Sequence, residues 1–100
     1  MKRKVYLTQL KPEFREKYLE AHRHVPPAVL DRYRELGMTR CSVHVLGDML
    51  VMIVEAEDHA RLQEALAADP IDIAWQNQVR PMKADGDWQE MGEVFCTDWE

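Results

Sequence analysis

Tyr18 and His22 are the two residues of this chain whose types and spacing best suit chemistry. They lie four residues apart in a predicted helix, so both side chains leave the same face, one turn apart. An imidazole exchanges protons near neutral pH, and a phenol beside it can orient a hydroxyl group. The pair predicts a proton-transfer pocket. The alternative is structural, with Tyr18 a core aromatic residue and His22 a satisfied histidine at the helix end.

Trp75 is the second candidate, because it lies on the apolar face of another predicted helix. An amphipathic helix commonly buries one tryptophan in the core. The alternative is a platform for a sugar, since the C–H faces of a pyranose pack on aromatic rings and the indole N–H can donate to a hydroxyl. Both interpretations of Trp75 stay open at this stage.

The other histidines and acidic residues form no recognisable set. His22 and His24 could chelate a metal only where the helix has already ended, because helical residues two apart point in different directions. His44 and Glu55, on predicted strands, could face a pocket, but no Cys, Asp or Glu completes a ligand set. We therefore predict no metal site and assign no role to His24, His44 or Glu55. Phosphate-binding, nucleophile-elbow and dinucleotide motifs are missing, which argues against kinases, hydrolases and dehydrogenases.

The composition indicates a single domain over residues 1–100. The net charge of −5, without a basic cluster, disfavours nucleic acid and anionic membrane surfaces as partners. No apolar run approaches the roughly 20 residues that cross a bilayer, and no export segment is recognisable, so we expect a cytoplasmic protein. Cys41 and Cys96 fit no metal or redox spacing, and a disulfide would be unexpected in a reducing compartment.

Strands alternate with pairs of helices along the chain. Strands are predicted over residues 5–9, 39–46, 49–56 and 91–97, with a tight turn at Gly47-Asp48 between the middle two. Helices are predicted from Pro12 onward, from Pro27 to a stop at Gly37, from a cap at Asp58 to about residue 68, and from Asp69-Pro70 onward. A polar loop over 83–87 precedes the last strand, and the tail 98–100 looks exposed.

This order predicts an α+β fold of the ferredoxin-like, split β-α-β type, with an antiparallel sheet and helices on one face. The strand over 49–54 is apolar on both faces, which is typical of a strand covered on both sides. A second copy of the chain is the natural cover for the face without helices, so we expect a homodimer. Whether the C-terminal strand swaps between subunits stays open.

A longer pattern joins these candidates. It comprises Arg3-Lys4, Gln9, Pro12, Tyr18, His22, Pro27, Gly37, residues 50–55, Trp75 and Glu93-Val94-Phe95. In its order and spacing the chain resembles the L-rhamnose mutarotases over nearly its whole length. The resemblance implies a dimeric α/β-barrel and interconversion of the α and β anomers of a 6-deoxy-hexose without a cofactor. It also implies that His22 is the proton donor, that Tyr18 contacts the sugar and that Trp75 helps to form the pocket.

The chain departs from the family pattern at three aromatic positions. Cys41 replaces a second pocket tyrosine and is the third predicted substrate-binding residue. Ala74-Trp75 replaces two consecutive tryptophans, and Pro26 replaces a tryptophan before the helix-opening proline. A pocket reshaped in this way keeps its histidine but suits another sugar. The resemblance implies L-fucose beside L-rhamnose as the expected substrate, because related proteins of this type act on it.

Three alternatives to a mutarotase remain. A cofactor-free monooxygenase or isomerase of the same fold would need a more apolar pocket, for which the six methionines leave room. A non-catalytic sugar or metabolite sensor would bind its ligand without anomer exchange. A plain dimerisation module would bind no sugar, and Tyr18 and His22 would then be structural.

Overall fold

Two β-α-α-β units build the protein in a computed structural model that describes residues 2–84 and 88–97. The strands are β1 (Lys2–Gln9), β2 (Met38–Leu46), β3 (Met49–Ala56) and β4 (Gln89–Met91). The helices are α1 (Arg15–Arg23), α2 (Pro27–Glu35), α3 (His59–Ala68) and α4 (Pro70–Val79), with short 3₁₀ turns at Pro12–Phe14 and Arg80–Met82. The predicted order of strands and helix pairs is confirmed.

The strands form one antiparallel sheet in the order β2-β3-β1-β4. β1 and β3 pair along their full lengths, from Lys2 opposite Ala56 to Gln9 opposite Met49. The two central strands therefore come from different β-α-α-β units, which is the ferredoxin-like arrangement predicted from the sequence.

Local capping chemistry sets most helix ends where the sequence predicted them. The carboxylate of Asp58 accepts a hydrogen bond from the backbone N–H of Arg61 at 3.0 Å and begins α3. Pro70 opens α4 at a position where a missing N–H costs nothing. Gly37 ends α2 with a φ of 99°, a left-handed conformation that few other residues adopt readily.

The last strand is the element that the sequence predicted wrongly. β4 pairs with β1 only from Leu7 opposite Gln89 to Val5 opposite Met91, and residues 92–97 form no strand. Gly92 follows Met91 directly, and a glycine without a side chain stabilises a strand poorly. Beyond it, Val94 and Phe95 are 99% and 81% exposed. The predicted tail 98–100 and most of the predicted loop lie outside the described residues.

All four helices pack on one face of the sheet, as predicted. One core cluster there contains Leu10, Tyr18, Val29, Leu50, Trp75, Val79 and Met82. A second cluster contains Tyr6, Val54, Ala56 and Leu62. Because Tyr18 and Trp75 belong to the first cluster, two of the candidate residues are fixed by core packing.

The other face of the sheet is apolar and carries no described helix. Val5 and Leu7 of β1 lie opposite Ile53 and Val51 of β3, and paired residues of antiparallel strands share a face. Met91, opposite Val5, is 44% exposed. The sheet is therefore built with apolar side chains on both faces.

Candidate active site

Tyr18 and His22 lie one turn apart on α1, and the structure brings their rings together. The ring centroids are 4.2 Å apart, with an interplanar angle of 27°, so the two rings stack. Tyr18 is only 2% exposed, whereas His22 is half-buried. The buried phenol ring thus anchors α1 in the core and supports the imidazole at the margin of the core.

Trp75 of α4 contacts His22 from another side. The two ring centroids are 5.3 Å apart and meet edge to face, at 66°. Trp75 is 7% exposed and belongs to the core cluster of Tyr18. The ring of Trp75 therefore packs in the core and contacts the histidine, while its role as a platform for a sugar stays a prediction.

The backbone of α1 sets the tautomer of His22. Nδ1 lies 3.0 Å from the carbonyl oxygen of Tyr18. Because a carbonyl oxygen only accepts hydrogen bonds, Nδ1 carries a proton and donates it. In the neutral ring, Nε2 then keeps its lone pair, and no residue in the described parts of the chain forms a hydrogen bond with it. The imidazole presents one basic nitrogen for chemistry.

Burial lowers the pKa of His22 below its usual value, because the charged ring loses solvation. The positive charge of Lys83 lowers this pKa further, while the hydrogen bond to the Tyr18 carbonyl opposes the shift. The imidazole is therefore neutral at physiological pH and can accept a proton. Burial, with a smaller contribution from Cys41, raises the pKa of Tyr18. The phenol stays protonated and acts as a hydrogen-bond donor.

Lys83 is a site residue that the sequence analysis missed, having placed it in a polar loop. It is only 2% exposed, and its Nζ lies 4.7 Å from the centroid of the Trp88 ring, a cation–π contact. A bridge to Leu10 and a 2.7 Å hydrogen bond from the Ala84 N–H to the Gln9 carbonyl draw this segment against β1. Only long-range contacts bury it, so no local pattern could have identified it.

A cavity of about 580 Å³ lies between the helices and the sheet. Cys41 lines it, as do Tyr33 from α2, Asp72 and Gln76 from α4, and Trp88. Although Cys41 as a residue is exposed on the edge strand β2, desolvation raises the pKa of its thiol. The thiol also contributes to the raised pKa values of Tyr18 and Tyr33. Of the predicted site residues, Cys41 lines this cavity, whereas Tyr18, His22 and Trp75 do not.

Asp72 is a second residue that the sequence analysis missed. The sequence predicts Ile71 on the apolar face of α4 together with Trp75, which leaves Asp72 outside that face. Ile71 is 38% exposed, and Asp72 is buried in its place. The Tyr33 hydroxyl donates to Asp72 Oδ1 at 2.6 Å, and this bond offsets the cost of burying the carboxylate. The i, i+4 pair of Asp72 and Gln76 was the available sequence pattern.

Two of the remaining candidates lie away from this site, whereas His24 lines a cavity of about 390 Å³ together with Trp75. His24 is exposed and bonds Glu20 at 3.1 Å, and His44 bonds Ser42 at 3.0 Å on the exposed side of β2. Glu55 lines a wider, largely charged cleft of about 1010 Å³ that contains none of the predicted site residues. Across residues 2–84 and 88–97, no three His, Cys, Asp or Glu side chains converge as a metal ion would require.

Neither described cysteine is in a disulfide, and none of the helices in the described ranges is both long and apolar enough to cross a bilayer. A search of curated protein sequences finds no match. A family model described as L-rhamnose mutarotase matches residues 3–97 of the chain. The chain belongs to the L-rhamnose mutarotase family. It is accordingly an isomerase that acts on carbohydrate anomers.

Solved structures agree with this mutarotase family assignment at the level of the fold. The crystal structure of an L-rhamnose mutarotase from Formosa agariphila superposes with a TM-score of 0.79 at 16% identity, covering 98% of this chain and 100% of that one. Tetracenomycin F2 cyclase from Streptomyces glaucescens gives 0.68 at 21% identity, with 97% and 96% covered. An antibiotic biosynthesis monooxygenase gives 0.65 at 20% identity, with 93% and 98% covered. At these identities the likeness shows the fold alone.

Proposed function

We propose that the protein interconverts the α and β anomers of a 6-deoxy-hexose and that His22 transfers the protons. The single observation that carries this proposal is the state of His22. Its Nδ1 is held by the Tyr18 carbonyl, its ring is enclosed by Tyr18 and Trp75, and its Nε2 is available as a base. Membership of the mutarotase family supports the reaction class.

The mechanism is ring opening and reclosure. Nε2 of His22 accepts the proton of the anomeric hydroxyl, the C1–O5 bond breaks, and C1 becomes an aldehyde. The imidazolium so formed gives the same proton to O5, and one nitrogen can serve both oxygens because both are bonded to C1 in the ring. The aldehyde then rotates about C1–C2 and closes on its other face by the reverse steps. No net proton is consumed, and no cofactor is required.

The acceleration demanded of the protein is modest, because mutarotation already proceeds slowly in water. General acid–base catalysis by one positioned side chain contributes roughly 10²–10⁴-fold. Tyr18, protonated and stacked on the imidazole, orients a sugar hydroxyl, while the edge of Trp75 offers an apolar surface for the C–H groups of the ring. A neutral sugar also needs no convergent arginine or lysine clamp.

L-Rhamnose and L-fucose are the two sugars we propose as substrates. The family name favours L-rhamnose, while the small residues at two expected aromatic positions favour a different sugar. Cys41 lines the cavity, and a tyrosine at this position would fill space that is open here. This supports L-fucose as the alternative substrate, with Cys41 in contact with it.

We also propose that the protein is a homodimer formed through the apolar face of the sheet. Val5, Leu7, Val51 and Ile53 form a continuous patch on this face, which no described helix covers. Burying such a patch against a second copy removes apolar area from water, at roughly 25 cal/mol per Å². The cytoplasmic location of this dimer stays a prediction.

One second candidate has structural support. The monooxygenase and the polyketide cyclase of similar fold are covered almost completely, and the cavity here includes apolar residues such as Met38, Met52 and Leu66. A cofactor-free oxygenase or isomerase for an apolar substrate is therefore the alternative. A non-catalytic sugar sensor would differ from a mutarotase only by the lack of exchange.

Anomer exchange measured by NMR saturation transfer tests the proposal directly. The protein is added to equilibrated L-rhamnose and to equilibrated L-fucose in separate samples, and the exchange rate is compared with that of the sugar alone. We expect acceleration in at least one sample, lost in His22→Ala but kept in Glu64→Ala, since Glu64 is exposed on α3 and lines none of the three described cavities. Normal exchange in a folded His22→Ala protein would rule out the role of His22.

A further inference from the structure

A polar cluster with no assigned role lines the cavity that Cys41 also lines. The Tyr33 hydroxyl donates to Oδ1 of Asp72 at 2.6 Å, and Nε2 of Gln76 donates to the same oxygen at 3.4 Å. Asp72 and Gln76 lie one turn apart on α4, whereas Tyr33 reaches across from α2. The carboxylate of Asp72 is therefore fixed in place by donors from two helices.

The second carboxylate oxygen of Asp72 is free to bind a ligand. Asp72 is 7% exposed, and both of its hydrogen bonds end on Oδ1. Oδ2 has no partner in the described parts of the chain, yet it is not among the buried atoms that lack one. It therefore borders the open space of the cavity that Asp72 lines. A carboxylate oxygen in such a place favours a hydroxyl or amide donor.

We propose that Oδ2 of Asp72 accepts hydrogen bonds from the ring hydroxyls of the sugar, which makes Asp72 a specificity-determining residue of this site. The inference rests on the proposed mutarotase function and adds the class of sugar to it. The ligand is a neutral pyranose with neighbouring ring hydroxyls on the side away from its anomeric carbon. Sugar acids are rejected, because a second carboxylate beside Asp72 would be repelled.

Two residues relate Asp72 to the proposed site of proton transfer. Trp75, whose ring contacts His22, lies three residues after Asp72 on α4, so both side chains leave neighbouring positions of one helix face. Cys41, a predicted substrate-binding residue, lines the same cavity as Asp72 and Tyr33. The cavity volume of about 580 Å³ falls within the range of small-molecule sites.

Polar recognition also agrees with the small residue at position 41. A cysteine offers little contact area to a sugar, so this side of the pocket lacks the aromatic surface that a tyrosine would add. A buried acceptor such as Asp72 discriminates strongly, since a sugar without the matching hydroxyl leaves that acceptor unpaired. Asp72 therefore gives the cavity a means to distinguish hydroxyl positions beside the apolar residues that also line it.

The test combines Asp72→Asn with a binding and a turnover readout. The substitution keeps the shape of the side chain and an acceptor for Tyr33, and Asp31→Asn on the exposed face of α2 removes a charge as the matched control. Exchange rates at increasing concentrations of L-rhamnose and L-fucose give kcat and KM, and ligand-observed saturation-transfer difference NMR gives binding. Melting temperatures show whether each variant is folded.

We expect Asp72→Asn to raise KM by about 10- to 100-fold, the loss of a hydrogen bond to a charged group, with kcat within about threefold of the wild type. Asp31→Asn should leave both unchanged.

Should Asp72→Asn fail to fold, Tyr33→Phe loosens the same carboxylate and should raise KM by a few-fold. A folded Asp72→Asn protein with unchanged KM overturns this subsite and leaves the mutarotase function standing. Asp72-dependent sugar binding without any exchange overturns the function and supports the subsite, and neither binding nor exchange overturns both.

Discussion

At the scale of single residues, the reactivity of the site depends on how a half-buried imidazole is held. Helical spacing alone brings Tyr18 and His22 together, so the sequence was sufficient to predict this pair. It could not show that Lys83 lowers the pKa of His22, because the two residues are 61 positions apart in the sequence and only the fold brings them near each other. Asp72 was likewise hidden, since its burial depends on Tyr33 from another helix.

The lowered pKa of His22 predicts the pH dependence of exchange. The neutral ring is the active form, so kcat/KM should fall on acidification, with a midpoint below the usual histidine value of about 6.5. Removing the charge of Lys83 removes one cause of the shift, so Lys83→Met should move this midpoint upward. The measurement is the pH profile of exchange for both proteins.

The control for this profile is Lys17→Met, which removes an exposed charge from α1. Its midpoint should equal that of the wild type. If Lys83→Met and Lys17→Met give the same midpoint in folded proteins, Lys83 has no electrostatic role at His22.

At the scale of elements, local sequence patterns predicted those helix starts and strand bounds that depend on neighbouring residues. Prolines, capping aspartates and the Gly47-Asp48 turn gave the starts of α2 and α4 and the span of β3. β4 was misplaced because pairing with β1, and not the apolar alternation over 91–97, decides where that strand lies. Strand ends of this kind depend on a distant partner, which a single sequence does not reveal.

Asp69, the N-cap of α4, is the helix cap whose loss should lower the stability of the protein most. It caps α4 through the Ile71 N–H at 3.3 Å, and its other oxygen pairs with Nε of Arg32 at 3.0 Å while only 4% of the residue is exposed. Asp69→Ala should therefore lower the free energy of unfolding by about 1–3 kcal/mol. Denaturant titration monitored by circular dichroism measures this loss.

Asp58→Ala is the matched comparison. Asp58 caps α3 but is exposed, and the capping bond is the one described hydrogen bond of its side chain. Its loss should stay near 1 kcal/mol. Equal losses for the two variants would show that the Arg32 contact contributes nothing to the docking of α2 on α4.

At the scale of the whole molecule, the sheet has apolar side chains on both faces, and the described helices cover one of them. The sequence predicted this one-sided layer of helices, whereas a homodimer on the other face stays a proposal. Residues 92–97 were wrongly predicted as a strand, and their exposed Val94 and Phe95 suit contact with another surface. A second subunit would cover both features at once.

Ile53→Glu tests the proposed dimer, because it places a carboxylate in the middle of the apolar sheet face without altering the helix side. We expect the wild type to sediment as a dimer and the variant as a monomer, since an unpaired charge in an apolar interface is costly. Ala28→Glu, on the exposed face of α2, is the control and should stay dimeric. A monomeric wild type at tens of micromolar would contradict the dimer.

The hydrogen bond from His22 Nδ1 to the Tyr18 carbonyl lies entirely within α1, and this has a consequence for how such proteins diversify. The tautomer that leaves Nε2 as the base is fixed by one short segment, while α2, α4 and β2 supply the contacts proposed to select the sugar. Substitutions at positions such as 41 and 74 can therefore change the accepted substrate without disturbing the base. In evolution or in protein engineering, the residues that line this pocket can be substituted step by step while the proposed catalytic histidine is kept.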